Sequence, residues 1–133
     1  VTGEWSYPRA LGLMAMTNCY ISLHRSEGYA YGIAEAIALG VPVVASDYSG
    51  NAVFNNHPGV STVKIVPQGV NPGDYFFWSE NFFWAEPCVR QAAELLVGIR
   101  ENQGTGEAVS EIIRLPATQT IDGLANAYRA LLG

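Results

Sequence analysis

The sequence predicts an α/β fold, a parallel sheet with helices on both faces, and three observations predict it. A strand, a helix and a second strand follow one another within the 28 residues from Cys19 to Ser46, close to the ~30 residues of a βαβ unit. A further β-rich run, Val63-Lys64-Ile65-Val66-Pro67, comes after a loop. Helix-period apolar stripes dominate the last third of the chain, and 49% of all residues are hydrophobic, enough for a core, which excludes disorder as a description of the whole.

Ser6-Tyr7-Pro8 reads as a helix start, a capping hydroxyl with a proline in the first turn. Leu11, Met14 and Ala15 carry the apolar stripe of this helix toward Thr17. Cys19-Tyr20-Ile21-Ser22-Leu23 is a short buried strand, followed by the polar loop His24-Arg25-Ser26-Glu27-Gly28. The next helix is predicted from Ala30 to Leu39, stopped by Gly40 just past its C-cap. Val41 to Ser46 is the second strand, with Pro42 near its beginning, where a missing N–H is tolerated. A strand, crossover helix and strand in this order make the two strands parallel. The third strand is predicted at Val63 to Pro67, and from Gln68 to Ala85 the pattern dissolves into an aromatic loop. Glu86-Pro87 then opens a helix through Val89, Ala92, Ala93, Leu96 and Ile99, with further helices expected at Glu107 to Arg114 and Ile121 to Leu132. The last of these lacks lysine and carries few cations, so it reads as core or docking surface rather than a membrane helix.

Three strands fall short of the ~5–6 of an average sheet. Charged residues are also scarce, 14% of the chain against roughly 25% in soluble domains. Both facts, and a first residue that is not methionine, lead us to expect part of a larger α/β domain, covered by more of the same protein or by a second copy in a homo-oligomer. Twelve acidic residues face seven basic ones, a net charge of -5, and six of the seven are arginine, Lys64 being the exception. No basic stripe tracks a phosphate backbone, which excludes nucleic acid as the expected partner. Cys19 and Cys88 lack metal-type spacing, so neither a zinc site nor a disulfide framework is expected. No leader pattern and no membrane-length apolar run occurs, so no transmembrane segment is expected and the cytoplasm is the default compartment.

In open α/β sheets, ligands bind beyond the carboxyl ends of the strands. Here that place is the loop His24 to Gly28, leading into a helix N-terminus whose free N–H groups favour a phosphate. Gly28 and Gly32 carry no side chains that would keep a ligand from the backbone. Glu27 stands just before the helix and Glu35 eight residues later, within it, where its side chain leans back toward the same mouth. Carboxylates beside a phosphate site are best matched to hydroxyls, so the combination asks for a phosphate flanked by polyols, the shape of a nucleotide sugar.

The segment Ser22-Leu23-His24-Arg25-Ser26-Glu27-Gly28-Tyr29, with Ala34-Glu35-Ala36 and Gly40-Val41-Pro42-Val43-Val44-Ala45, resembles the donor site of retaining GT-B glycosyltransferases. Their mark is a Glu-x7-Glu pair, matched by Glu27 and Glu35, and Trp84-Ala85-Glu86-Pro87 with Ala92-Ala93 resembles a bacterial, polysaccharide-making branch. The resemblance implies that residues 1–133 are a partial nucleotide-sugar-binding domain, the carboxyl half of a Rossmann-like GT-B donor domain. It implies hexosyl transfer from a nucleoside diphosphate sugar to a hydroxyl of a glycan or lipid-linked acceptor, with retention of configuration and no cofactor. Glu35 would bind the ribose and Glu27, the catalytic candidate, would face the transferred sugar. The amides of Gly28, Tyr29 and Ala30 would hold sugar hydroxyls and the β-phosphate, where the family usually has a second glycine in place of Ala30. His24 and Arg25 would orient the sugar or the leaving phosphate, and Ser49-Gly50-Asn51 resembles the second donor-side loop. The family's basic pair belongs to an earlier part of the domain, and the acceptor domain, through which membrane association would come, lies outside this chain. The 133 residues alone are therefore expected to be inactive.

Two rival readings accompany this one. A non-catalytic nucleotide-binding or assembly module that keeps the half-fold is motivated by the short sheet and by Ala30. A nicotinamide-dependent dehydrogenase is disfavoured, because no G-x-G-x-x-G follows any strand. The aromatic stretch Tyr75-Phe76-Phe77-Trp78 to Phe82-Phe83-Trp84 reads either as an acceptor platform or as an interdomain surface. The favoured expectation is that it mostly packs the loop onto the sheet, with one or two rings exposed. His57 and both cysteines are expected to be structural.

Overall fold

The computed structural model describes residues 6–104, so the helices expected at Glu107 to Arg114 and Ile121 to Leu132 lie outside the described residues. Nine-residue α1, Tyr7–Ala15, begins with its proline in the first turn. The Ser6 hydroxyl makes no capping bond, contrary to expectation; its carbonyl instead accepts from the amides of Arg9 and Ala10. Leu11 is the buried residue of α1, and Met14 packs beside the core, while Ala15 is exposed.

β1 (Tyr20–Ser22), α2 (Tyr31–Ala38) and β2 (Val43–Ser46) form the expected parallel unit, paired from Tyr20 with Val43 to Ser22 with Ala45. Gly40, at φ 70°, ends α2 in the left-handed conformation that suits glycine. A 3-10 helix (Ser49–Phe54) then leads to β3 (Val60–Val63), parallel to β2 on its other side. The order β1-β2-β3 makes β2 central, and all four of its residues are buried.

Strand alternation divides the core in two. Val43 and Ala45 pack with Ile33, Ala34 and Ile37 of α2 and with Phe54, whereas Val44 packs with Val63 and with Ala92 of α3 (Val89–Gly104). Helices therefore cover both faces of a mixed α/β layer structure. Among the described residues no helix is long and apolar enough to cross a membrane.

Beyond β3 the structure departs from expectation. The run Val63 to Pro67 is not one strand: β3 ends at Val63, and β4 (Ile65–Gly69) belongs to a separate antiparallel ribbon with β5 (Phe83–Pro87). Lys64 causes the break. Its N–H donates to the Gln91 side chain at 2.8 Å and its carbonyl accepts from Cys88 N at 2.9 Å, so the start of α3 takes both groups. Glu86 and Pro87 end β5 rather than open the helix, which starts at Val89. Nor do the aromatics pack onto the sheet: Tyr75, Phe76, Phe77, Trp78, Phe82 and Phe83 are 38–92% exposed. Two strands alone have no second layer on which to lay these rings.

Replacing Ile33, 1% exposed between α2 and the sheet, with Ala should destabilise the fold by about 2–5 kcal/mol in denaturant titration. Val66→Ala, on the 65% exposed face of β4, should stay within about 0.5 kcal/mol.

Candidate functional site

The carboxyl ends of β1 and β2 each deliver a loop, and the two loops are docked backbone to backbone. The Ser49 hydroxyl donates to the Glu27 carbonyl at 2.6 Å and accepts from the Glu27 amide at 3.2 Å. Gly50 N also donates to the Glu27 carbonyl, at 3.1 Å. A side chain at Gly50 has no room, since its Cβ would lie 1.6 Å from the Gly28 carbonyl oxygen. Ser49-Gly50-Asn51 is thus a clamp on the Glu27 loop, and the Ser49 hydroxyl is already engaged.

A polar network fixes the base of the same loops. Asn51 is fully buried; its amide nitrogen donates to Ser46 O at 2.8 Å and to Asn55 Oδ1 at 3.1 Å, which leaves its oxygen as an acceptor. His24 Nε2 lies 2.8 Å from that oxygen and 3.0 Å from the Tyr48 carbonyl. Both neighbours are acceptors, so Nε2 carries the hydrogen, and Nδ1 accepts from the Ser22 hydroxyl at 3.0 Å. His24 and Asn51 therefore hold the loop, and their polar atoms face the protein. The Ser46 hydroxyl nearby is buried without a partner.

Arg25 is also engaged. Its Nε lies 2.7 Å from Glu86 Oε2, yet that oxygen has no hydrogen-bonding partner, so the contact is one of charge rather than an aligned N–H bond. With side chains 54% and 37% exposed, the pair adds little stability. It does draw the guanidinium toward β5, whose Ala85 N bonds the Arg25 carbonyl at 3.2 Å.

Burial raises the pKa of the Tyr20 phenol most, and the charges of Glu27 and then Glu35 raise it further. Gly32 makes room for that phenol: a Cβ there would sit 2.3 Å from the Tyr20 hydroxyl. The bare backbone at Gly32 thus serves Tyr20, whereas Gly28 is exposed with open space around it. Glu27 Oε1 accepts from Gly28 N at 2.9 Å, and Glu35 Oε1 accepts from the Tyr7 hydroxyl of α1 at 2.7 Å.

No side chain caps α2. Its N-cap is Ala30, left-handed at φ 68° and 4% exposed, a conformation that costs an L-residue roughly 1–2 kcal/mol and that glycine adopts freely. The Tyr29 ring packs edge-on against Phe54 at 5.5 Å and tilted against Tyr31 at 5.0 Å. Chemically, the site offers two carboxylate acceptors, a phenol, and the exposed Gly28 beside uncapped helix amides, a set suited to binding a polyol with an anionic group. Among the described residues no group of three or more His, Cys, Asp or Glu gathers to hold a metal. Both cysteines are free.

Tyr20, Tyr7 and Glu86 belong to the site and were not singled out in the sequence. A tyrosine entering a short strand whose hydroxyl needs a polar neighbour was the available signal for Tyr20. Nothing local marks Tyr7 or Glu86, which meet their partners across 28 and 61 positions of chain.

Tyr20 favours its protonated form in the folded chain. Its contribution to stability is therefore intact below the ordinary tyrosine pKa, about 10, and is lost as pH rises through the higher folded value. In NMR titration of labelled tyrosine, Glu27→Gln with Glu35→Gln should move the Tyr20 midpoint partway back down, burial accounting for the remainder. An unmoved midpoint would show that the carboxylate charges do not act on the phenol. Gly50→Ala should destabilise the chain by about 1–3 kcal/mol in thermal unfolding, because the added methyl overlaps backbone.

Compared with known proteins, the chain finds no counterpart: no family model, no curated protein and no solved structure matches it.

Proposed function

We propose that this chain is the nucleotide-sugar-binding part of a retaining, metal-independent glycosyltransferase, the carboxyl half of a Rossmann-like GT-B donor domain. The observation that carries the reading is the placement of Glu27 in the loop after β1 and of Glu35 on α2, whose start, following a strand of a parallel sheet, carries no side-chain cap. In this reading Glu35, which accepts from the Tyr7 hydroxyl here, accepts hydrogen bonds from the ribose hydroxyls. Glu27, oriented by Gly28 N and by the Ser49 clamp, faces the transferred sugar. The amides of Tyr29 and Ala30, joined by that of Gly28 when the Glu27 carboxylate turns from it to the sugar, meet sugar hydroxyls and the β-phosphate, and the dipole of α2 stabilises charge on the leaving diphosphate. The sugar passes to a hydroxyl of a glycan or lipid-linked acceptor, and work in the cytoplasm fits the supply of nucleotide sugars.

One observation favours a second reading, a module that binds nucleotides without catalysis. Arg25, the cation of the loop, leans on Glu86, so neutralising a diphosphate falls to residues elsewhere.

Calorimetry with UDP-glucose, GDP-mannose and ADP-glucose tests the proposal. We expect one of them to bind the 133-residue chain and Glu35→Gln to weaken it about tenfold, the loss of a charged hydrogen-bonding partner. Equal affinity in the variant would remove Glu35 from the donor site and the reading with it. Binding without sugar transfer, once the chain is joined to an acceptor domain, would favour the module.

A further inference from the structure

The antiparallel ribbon carries a concavity whose lining includes neither Glu27 nor Glu35. Between the β4–β5 ribbon and the His24–Gly28 loop lies a cavity of about 360 Å³, lined by Ser26, Tyr75, Asn81, Phe82, Phe83 and Trp84. That volume falls in the ~300–1,000 Å³ range of small-molecule sites. The rings form a joined wall: the Tyr75 centroid lies 6.2 Å from Phe82 and 6.0 Å from Trp84, the latter edge-on.

The wall is held in shape without a ligand. The Trp78 indole N–H donates to the Val70 carbonyl at 2.6 Å, and Val70 N donates to the Phe82 carbonyl at 3.0 Å. Asp74 caps the turn at Asn71, accepting from its backbone and side-chain nitrogens at 3.1 Å. Rings fixed in advance lose little entropy when something stacks on them.

We propose that this cavity is a binding subsite for a neutral glycan. The apolar C–H face of a pyranose suits an aromatic wall, and its hydroxyls suit the uncharged polar groups supplied, the Ser26 hydroxyl and the Asn81 amide. Charge excludes the obvious competitors. Between Ile65 and Val89 the charged residues are Asp74, Glu80 and Glu86, all acidic, and the neighbouring Arg25 is drawn to Glu86. A phosphate, a nucleotide or an anionic lipid headgroup therefore meets repulsion. Ser26 directly precedes Glu27, so a sugar ring in the cavity sits one residue from the glutamate loop. To call this the acceptor's place rests on the transferase reading; the subsite itself does not.

Phe76 supplies the control. It is 92% exposed, touches the Phe77 ring edge-on at 4.9 Å, and does not line the cavity. The native chain is titrated with maltohexaose, cellohexaose, chitohexaose and mannohexaose, read by tryptophan fluorescence and by NMR. At least one should give a saturable response. Tyr75→Ala, at a partly exposed position and with the NMR spectrum reporting the fold, should weaken it about tenfold, and Asn81→Ala should weaken it as well. Phe76→Ala should leave it unchanged. No saturable response to any of the four, or equal binding by Tyr75→Ala, overturns the subsite. Binding to phosphatidylcholine vesicles that Phe76→Asp abolishes, with no response to the hexasaccharides, overturns it in favour of a lipid surface. Intact hexasaccharide binding alongside failed nucleotide-sugar binding leaves the subsite standing and removes only the transferase reading.

Discussion

The rest of the site depends on one close approach, that of Gly50 to the backbone of Glu27 and Gly28. The contact excludes any side chain at position 50 and brings the loops after β1 and β2 to bonding distance. The Ser49 hydroxyl then bonds both the amide and the carbonyl of Glu27, so the peptide groups on either side of that residue are held from the neighbouring loop. Because the loop is anchored by its backbone, the Glu27 carboxylate needs no second chain segment to orient it and turns to the adjacent amide. Positive φ at both Ser49 and Ala30 marks the strain of this arrangement, one residue on each side of the clamp.

Below the clamp, burial dictates the chemistry. Asn51 is without solvent access, so each of its polar atoms must be matched inside the chain, and its partners run from Ser46 through Asn55 to Asp47. His24 completes that network, and the network in turn decides which ring nitrogen carries hydrogen. A histidine in the loop that carries Glu27 invites an acid–base role. Its surroundings assign it instead to holding the β1 loop against the end of β2.

What the sequence disclosed, and what it hid, follows from the range of the forces involved. The βαβ unit was legible because its signals are local: apolar runs of strand length, a helix stop at Gly40, and Pro42 ahead of β2. The place of Glu35 on α2 was legible for the same reason, whereas Glu27 lies in the loop before that helix and is held by the Ser49 hydroxyl. The break at Lys64 was not, because β propensity continues through Ile65 and Val66; what ends β3 is hydrogen bonding to Cys88 and Gln91, more than twenty residues away. Glu86-Pro87 misled by resembling a helix opening, when Pro87 in fact ends a ribbon strand, where a missing N–H is tolerated. The roles of Ser49 and Asn51 as supports for the loop needed three-dimensional packing, which no spacing rule supplies.

Gln91 has an effect on the sheet as a whole. Its side-chain amide accepts from Lys64 N and donates to the Thr62 carbonyl at 3.4 Å, imitating the next strand along the outer border of β3. With Cys88 N on the Lys64 carbonyl, that border is sealed by the first turn of α3 rather than by another ribbon of backbone. A strand added beside β3 would have to displace the Gln91 side chain from Thr62 and Lys64, so the margin next to α3 resists extension of the sheet.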